Sequence, residues 1–184
     1  FFEHMMFKGP RTIGTRDPQK EAELMDKERA IYEKILALIW GEQYQRMRSG
    51  QIDDPWNAAN DTPELRELRG QLKQLMDEHG KLIVKNEYDS IYTQAGGSCI
   101  NATTGNDLTF YFINVPSNKF ELWAWMESDR LADSVFREFY SERDVVHEER
   151  RLRTESTPTG VFQEQFDAMF WQSSPYLWPV FGWT

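Results

Sequence analysis

Two stretches of this chain open in the same way and then repeat apolar residues at helical intervals, which commits much of its first half to a pair of helices. Asp17-Pro18 places an N-cap acceptor before a proline at the first helical position, and Leu24, Ile31, Ile35 and Leu38 follow at helical spacing. This pattern predicts a helix running to about Met47. Thr62-Pro63 restarts in the same manner, and Leu65, Leu68, Leu72, Leu75, His79 and Leu82 then alternate three and four apart, a narrow seam suited to one partner helix. Ser49 to Asp61, rich in Gly, Asp, Asn and Pro, reads as the connecting loop. Neighbouring helices joined this way usually pack on each other, so an antiparallel helical hairpin is expected over residues 17–86. His79 lies on the leucine seam and reads as a packed or edge histidine rather than a ligand.

The rest of the chain has a different rhythm. Phe1 to Phe7 is apolar apart from Glu3 and His4, and Lys8-Gly9-Pro10 supplies a basic last turn, a glycine cap and a proline stop, the signature of the end of a buried helix. After Gly96-Gly97, Ser98 to Thr104 and Leu108 to Val115 predict two strands around Gly105-Asn106. A helix carrying Phe120, Trp123, Met126 and Leu131 is expected next, then a charged helix around Arg137 to Arg153 and another from about Gly160 to Trp171. Strands followed by runs of helices indicate an α+β domain.

Composition narrows the possible partners. The 184 residues carry a net charge of -9, with no basic stripe to receive nucleic acid phosphates. Length allows one ordinary domain with an excursion. The seven Trp and the 14% aromatic content predict a substantial packed interior. Cys99 is the single cysteine, which rules out an internal disulfide or a cysteine zinc site and is expected to be a small buried residue. The longest strongly apolar stretch, Ile35 to Trp40, falls far short of the roughly 20 residues of a membrane span. The opening Phe1-Phe2-Glu3-His4, without initiator Met or signal-peptide pattern, and the closing Gly182-Trp183-Thr184 predict a piece of a longer chain, cut at both ends.

Glu3-His4 alone carries little information, since such dipeptides arise by chance throughout proteins. Glu142, Glu148 and Glu149 with the arginines around them read equally as a solvated, salt-bridged helix face. Four ordered segments add to this: Phe1 to Gly9 (FFEHMMFKG), Gly96 to Val115 (GGSCINATTGNDLTFYFINV), Glu142 to Arg151 (ERDVVHEERR) and Pro175 to Trp183 (PYLWPVFGW). Each resembles the corresponding stretch of the pitrilysin/insulinase family of inverted zincins, in the family's order. The resemblance covers nearly everything outside about Asp17 to Asn86.

The resemblance implies a pitrilysin-type α+β metallopeptidase domain, an antiparallel or mixed sheet packed with helices, present here as a partial N-terminal domain with residues 17–86 inserted as a helical hairpin. In the family motif His-x-x-Glu-His the first histidine would precede Phe1, His4 would be the second zinc ligand and Glu3 the catalytic base. Matching the later motif gives Glu149 as the third ligand and Glu142, on the same helical face, as its supporting carboxylate. Glu148 and His147 lie off that face. Asn101 and Ala102 match the strand on which relatives bind an extended peptide; from the residues alone that strand reads equally as an ordinary lead into the Gly105-Asn106 turn.

The function implied is a zinc-dependent endopeptidase acting on unfolded peptides or small proteins, with Glu3 taking a proton from a zinc-activated water. The implied partners are a peptide substrate and a second homologous domain or subunit that closes the chamber, so this piece alone is expected to be inactive. The alternative is a non-catalytic structural or peptide-binding family member paired with an active subunit. The resemblance leans toward a periplasmic or secreted location over a cytoplasmic one; the residues themselves specify no compartment.

Overall fold

Asp17, Thr62 and Thr157 each cap a helix whose first residue is proline, their side-chain oxygens accepting from the backbone N–H of Lys20, Leu65 and Gly160. The structure, a computed structural model, describes residues 1–183. In chain order the helices and strands begin with α1 (Phe2–Met6), α2 (Pro18–Leu38), α3 (Tyr44–Arg48), α4 (Pro63–Gly80) and α5 (Glu87–Gln94). They continue with β1 (Ser98–Thr104), β2 (Thr109–Asn114), α6 (Phe120–Ala132), α7 (Phe139–Arg150) and α8 (Pro158–Phe170). The result is helix-rich α+β. Among the described residues no helix is long and apolar enough to cross a membrane.

The chain divides into two compact units, one formed by Thr15–Val84 and the other by Phe1–Gly14 with the chain from Lys85 onward. In the first, α2 and α4 lie antiparallel. Ile35 and Ile39 near the end of α2 pack with Leu65 near the start of α4, flanked by Ile31, Leu38, Tyr44, Leu68 and Leu72. At the other end of the pair, His79 is buried between Glu21 and Glu28 of α2. The helix expected to run to about Met47 reaches Arg48, but through a π turn at Ile39–Gln43. Gln43, completely buried there, donates to the Asn60 carbonyl at 3.0 Å and accepts from Arg46 at 2.6 Å, which fastens the returning loop.

The second unit is built on Ile13, Tyr88, Tyr92 and Met126, with Ile100, Ile113 and Trp123 packed against them. Two of these core residues come from α5, a helix for which the sequence offers no apolar run or proline start. β1 and β2 pair antiparallel with Asn101 opposite Phe112, Ala102 opposite Tyr111 and Thr104 opposite Thr109. The Gly105 N–H donates to the Leu108 carbonyl at 2.9 Å, closing a turn on Asn106-Asp107. The antiparallel or mixed sheet expected is, among the described residues, this two-stranded antiparallel hairpin.

Two expectations are corrected. Cys99 is exposed, because the register shifts between Ser98 and Asn101 and the bulged residue takes a left-handed φ of 56°, which lifts its side chain off the core face. The aromatics do not all feed an interior. Phe110 and Phe112 stack on the outer face of the hairpin, and Phe162, Phe166 and Phe170 form an exposed ladder along α8. On α6, Met126 is fully buried while Phe120 and Leu131 face outward.

Candidate metal centre

A five-residue helix cannot hold its own position, and α1 is fixed by what its side chains touch. Met5 and Met6 point inward, Phe1 packs edge-on to Phe139 at 4.9 Å, Phe2 to Phe136 at 5.3 Å and Phe7 to Tyr111 at 5.6 Å. These contacts seat α1 between the β hairpin and α7. The loop after it is gripped by Arg137, 1% exposed, whose guanidinium donates to the carbonyls of Lys8 (2.8 Å), Gly9 (3.3 Å), Pro10 (2.9 Å) and Arg11 (3.2 Å). Gly14, at φ 97°, permits the close return of this loop, since a Cβ there would lie 2.8 Å from the Lys8 carbonyl oxygen.

His4 therefore meets α7. Its Nδ1 lies 2.8 Å from Glu142 Oε1 and its Nε2 lies 3.5 Å from Glu149 Oε2. Glu142 and Glu149 are two helical turns apart and share one face. Glu148 points elsewhere and pairs with Arg151 in solvent, and His147 is exposed. An ionised carboxylate only accepts, so Nδ1 donates to Glu142, and Nε2 is turned toward Glu149. Glu149 is itself held by Arg153 at 2.9 Å from Oε1.

Several contacts around this pair involve residues that sequence reasoning did not single out. Lys8 Nζ lies 2.7 Å from Glu142 Oε2 and 3.3 Å from Glu138 Oε2. Burial alone would lower the Lys8 ammonium and raise the Glu142 carboxyl. The hydrogen bond and charge that each presents to the other, with Glu138 acting on Lys8 and His4 on Glu142, outweigh burial, so Lys8 stands above its ordinary value and Glu142 below. Thr104 Oγ1 donates to Glu3 Oε2, and Tyr111 OH to the Glu3 carbonyl at 3.5 Å. Arg130 lies over the Tyr111 ring at 4.4 Å and pairs with Glu127, which also accepts from Tyr88 and Tyr92 of the core. The hairpin thus fixes Glu3 while α7 fixes His4. No periodicity in the sequence marks Lys8, Thr104 or Tyr111 as partners of these residues.

Asn101 and Ala102 lie on β1, whose outer edge has no strand partner among the described residues. Asn101 is exposed, and its Oδ1 accepts from the Ala102 N–H at 2.8 Å. Asn101 also lines a cleft with Phe7, Tyr111, Trp123 and Arg130.

The His4–Glu149 pair can be compared with a zinc site. Nitrogen and oxygen ligands held tetrahedrally at about 2.0–2.2 Å from zinc stand roughly 3.3–3.5 Å apart. The observed 3.5 Å fits that spacing, and the carboxylate on the far ring nitrogen is the usual companion of a zinc-bound histidine. Among the described residues no three His, Cys, Asp or Glu side chains converge on one metal position, so the pair supplies two donors.

A histidine and a glutamate from distant helices, each backed by further charge, form a candidate centre on a helix-rich α+β chain. No family model matches the sequence. The chain is 33% identical over 130 residues to the zinc protease PqqE of Helicobacter pylori (strain ATCC 700392 / 26695), a stretch covering 68% of this chain and 28% of that relative. The chain thus spans less than a third of the relative's length.

Proposed function

We propose that this chain carries part of the active site of a zinc-dependent endopeptidase of the pitrilysin/insulinase type, one that hydrolyses peptide bonds in unfolded peptides or small proteins. The observation that carries the reading is His4, with Nδ1 on Glu142 and Nε2 facing Glu149 across 138 and 145 positions of sequence. The likeness to a protein named zinc protease supports it. His4 Nε2 and Glu149 Oε2 would hold the metal together with a histidine from outside the described residues. A second homologous domain or subunit would complete the chamber.

Bound zinc supplies Lewis acidity toward a water and a scissile carbonyl. The work of this chain is to place and move protons around it. Glu3 Oε2 is occupied by the Thr104 hydroxyl, which leaves Oε1 to accept the proton of the attacking water and to return it to the leaving amine. Glu142 holds the His4 ring in one tautomer. An extended peptide would run along β1, with Asn101 and Ala102 as its contacts by strand addition.

The metal assignment is tested on the longer protein in which a further histidine and the second domain complete the site, by zinc titration with a competing chelator. His4→Ala and Glu149→Ala should each weaken zinc binding by at least about a hundredfold, while Glu148→Ala should leave it within about twofold. Zinc affinity lost in the Glu148 variant and kept in the Glu149 variant would refute the ligand assignment. Thr104→Val should lower kcat roughly tenfold with KM little changed, the worth of one hydrogen bond to a charged group. Equal kcat in that variant would show that Thr104 does not orient the base.

A further inference from the structure

Glu142 has two carboxylate oxygens, and each has a different partner. Oε1 meets His4 Nδ1 at 2.8 Å, and Oε2 meets Lys8 Nζ at 2.7 Å. Lys8 stands four positions after His4, just beyond the end of α1, with its side chain 22% exposed and that of Glu142 16% exposed. A glutamate's terminal torsion is broad and roughly two-fold, so a carboxylate with one anchor swings, and one with an anchor on each oxygen does not. Lys8 also draws on Glu138 at 3.3 Å, so its ammonium is itself held from two sides.

We propose, on the reading of His4 as a zinc ligand, that Lys8 is a positioning residue for it: by holding Oε2 of Glu142 it aims Oε1 at Nδ1 and keeps Nε2 free for the metal. The chain of contacts runs Lys8, Glu142, His4, Glu149, Arg153, so that each carboxylate on the α7 face has a cation on the side away from the histidine. An isolated ion pair on an exposed surface would contribute almost nothing. This one is partly buried, and it bears on the carboxylate that meets Nδ1 of His4. The backbone at Lys8 does not depend on its side chain, because Arg137 grips the carbonyls of Lys8, Gly9, Pro10 and Arg11. Replacing the lysine leaves that backbone anchor in place.

The experiment compares the wild-type longer protein, in which a further histidine completes the site, with its Lys8→Met, Lys8→Arg and His4→Ala variants by chelator-competition zinc titration. The metal-free forms are also followed by 15N NMR of the His4 ring and by thermal unfolding. Outer partners of zinc-bound histidines are worth about 10–100-fold in metal affinity. Lys8→Met should weaken zinc about tenfold and turn a single His4 tautomer into a mixture, with its unfolding midpoint close to wild type. Lys8→Arg should recover affinity to within about threefold, because the charge and a donor return. Wild-type zinc affinity and a single tautomer in Lys8→Met would overturn the role of Lys8 and leave the site itself standing. Unchanged zinc affinity in His4→Ala would instead remove the ligand reading on which the inference rests. A loss of affinity in Lys8→Met that follows a lowered unfolding midpoint and is not restored by Lys8→Arg would also overturn it, as a folding effect.

Discussion

Glu3→Gln should reduce peptide turnover by roughly a thousandfold while leaving zinc affinity within about twofold of wild type. The amide keeps the shape of the side chain and an oxygen for the Thr104 hydroxyl, so the hairpin contact that seats it survives. What it loses is the capacity to accept a proton at the free oxygen. The measurement, made on the longer protein that completes the site, is kcat on an unfolded peptide substrate beside a chelator-competition zinc titration on the same preparation. Unchanged turnover would remove Glu3 from the role of base. Zinc and turnover lost together would show that the substitution disturbs the neighbouring His4 rather than the proton transfer.

The second large effect lies in the helical pair, where His79 is buried with Glu28 Oε1 at 3.0 Å from Nδ1 and Glu21 Oε1 at 3.2 Å from Nε2. Burial alone would lower its pKa, but the hydrogen bonds and charges of Glu21 and Glu28 outweigh it and raise the ring from its ordinary 6.5 to about 9. Between those values the folded protein holds a proton that the unfolded chain has released. The contribution is therefore complete below about pH 6.5 and disappears as pH rises through about 9, a change of roughly 3 kcal/mol. Denaturant midpoints measured from pH 6 to 10 should fall across that window. His79→Leu, which leaves two buried carboxylates without their cation, should destabilise by about 3–5 kcal/mol at neutral pH and flatten the pH dependence. A slope that survives in His79→Leu would assign it to another group.

His79 also shows where reading a sequence stops. Its place on the leucine seam follows from spacing, and it is packed there. Its ion pairs follow only from the antiparallel return of α4 along α2, which brings position 79 beside 21 and 28. The helices themselves were legible because an N-cap, a proline and an apolar stripe all act within a few residues of one another. α5 was not, since its Tyr88 and Tyr92 become core residues only by packing against Ile13 and Met126, far away in the chain. The same holds for the π turn, which ends with Gln43 bonded to Asn60 in a loop that has no periodic signal.

The candidate metal centre divides along the same line. Helical phase alone put Glu142 and Glu149 on one face and turned Glu148 away from it, because side-chain direction along a helix is a local property of 3.6 residues per turn. That His4 stands against that face, that Lys8 takes the second oxygen of Glu142 and that Thr104 reaches Glu3 are contacts between elements separated by more than a hundred positions. Local sequence therefore determined the proline-capped helices, the hairpin turn and the facing of the charged residues. Only the tertiary structure decided which charges meet, because those pairings are set by the burial of Met5, Met6 and the aromatic contacts that seat α1, and short-range spacing holds no record of them.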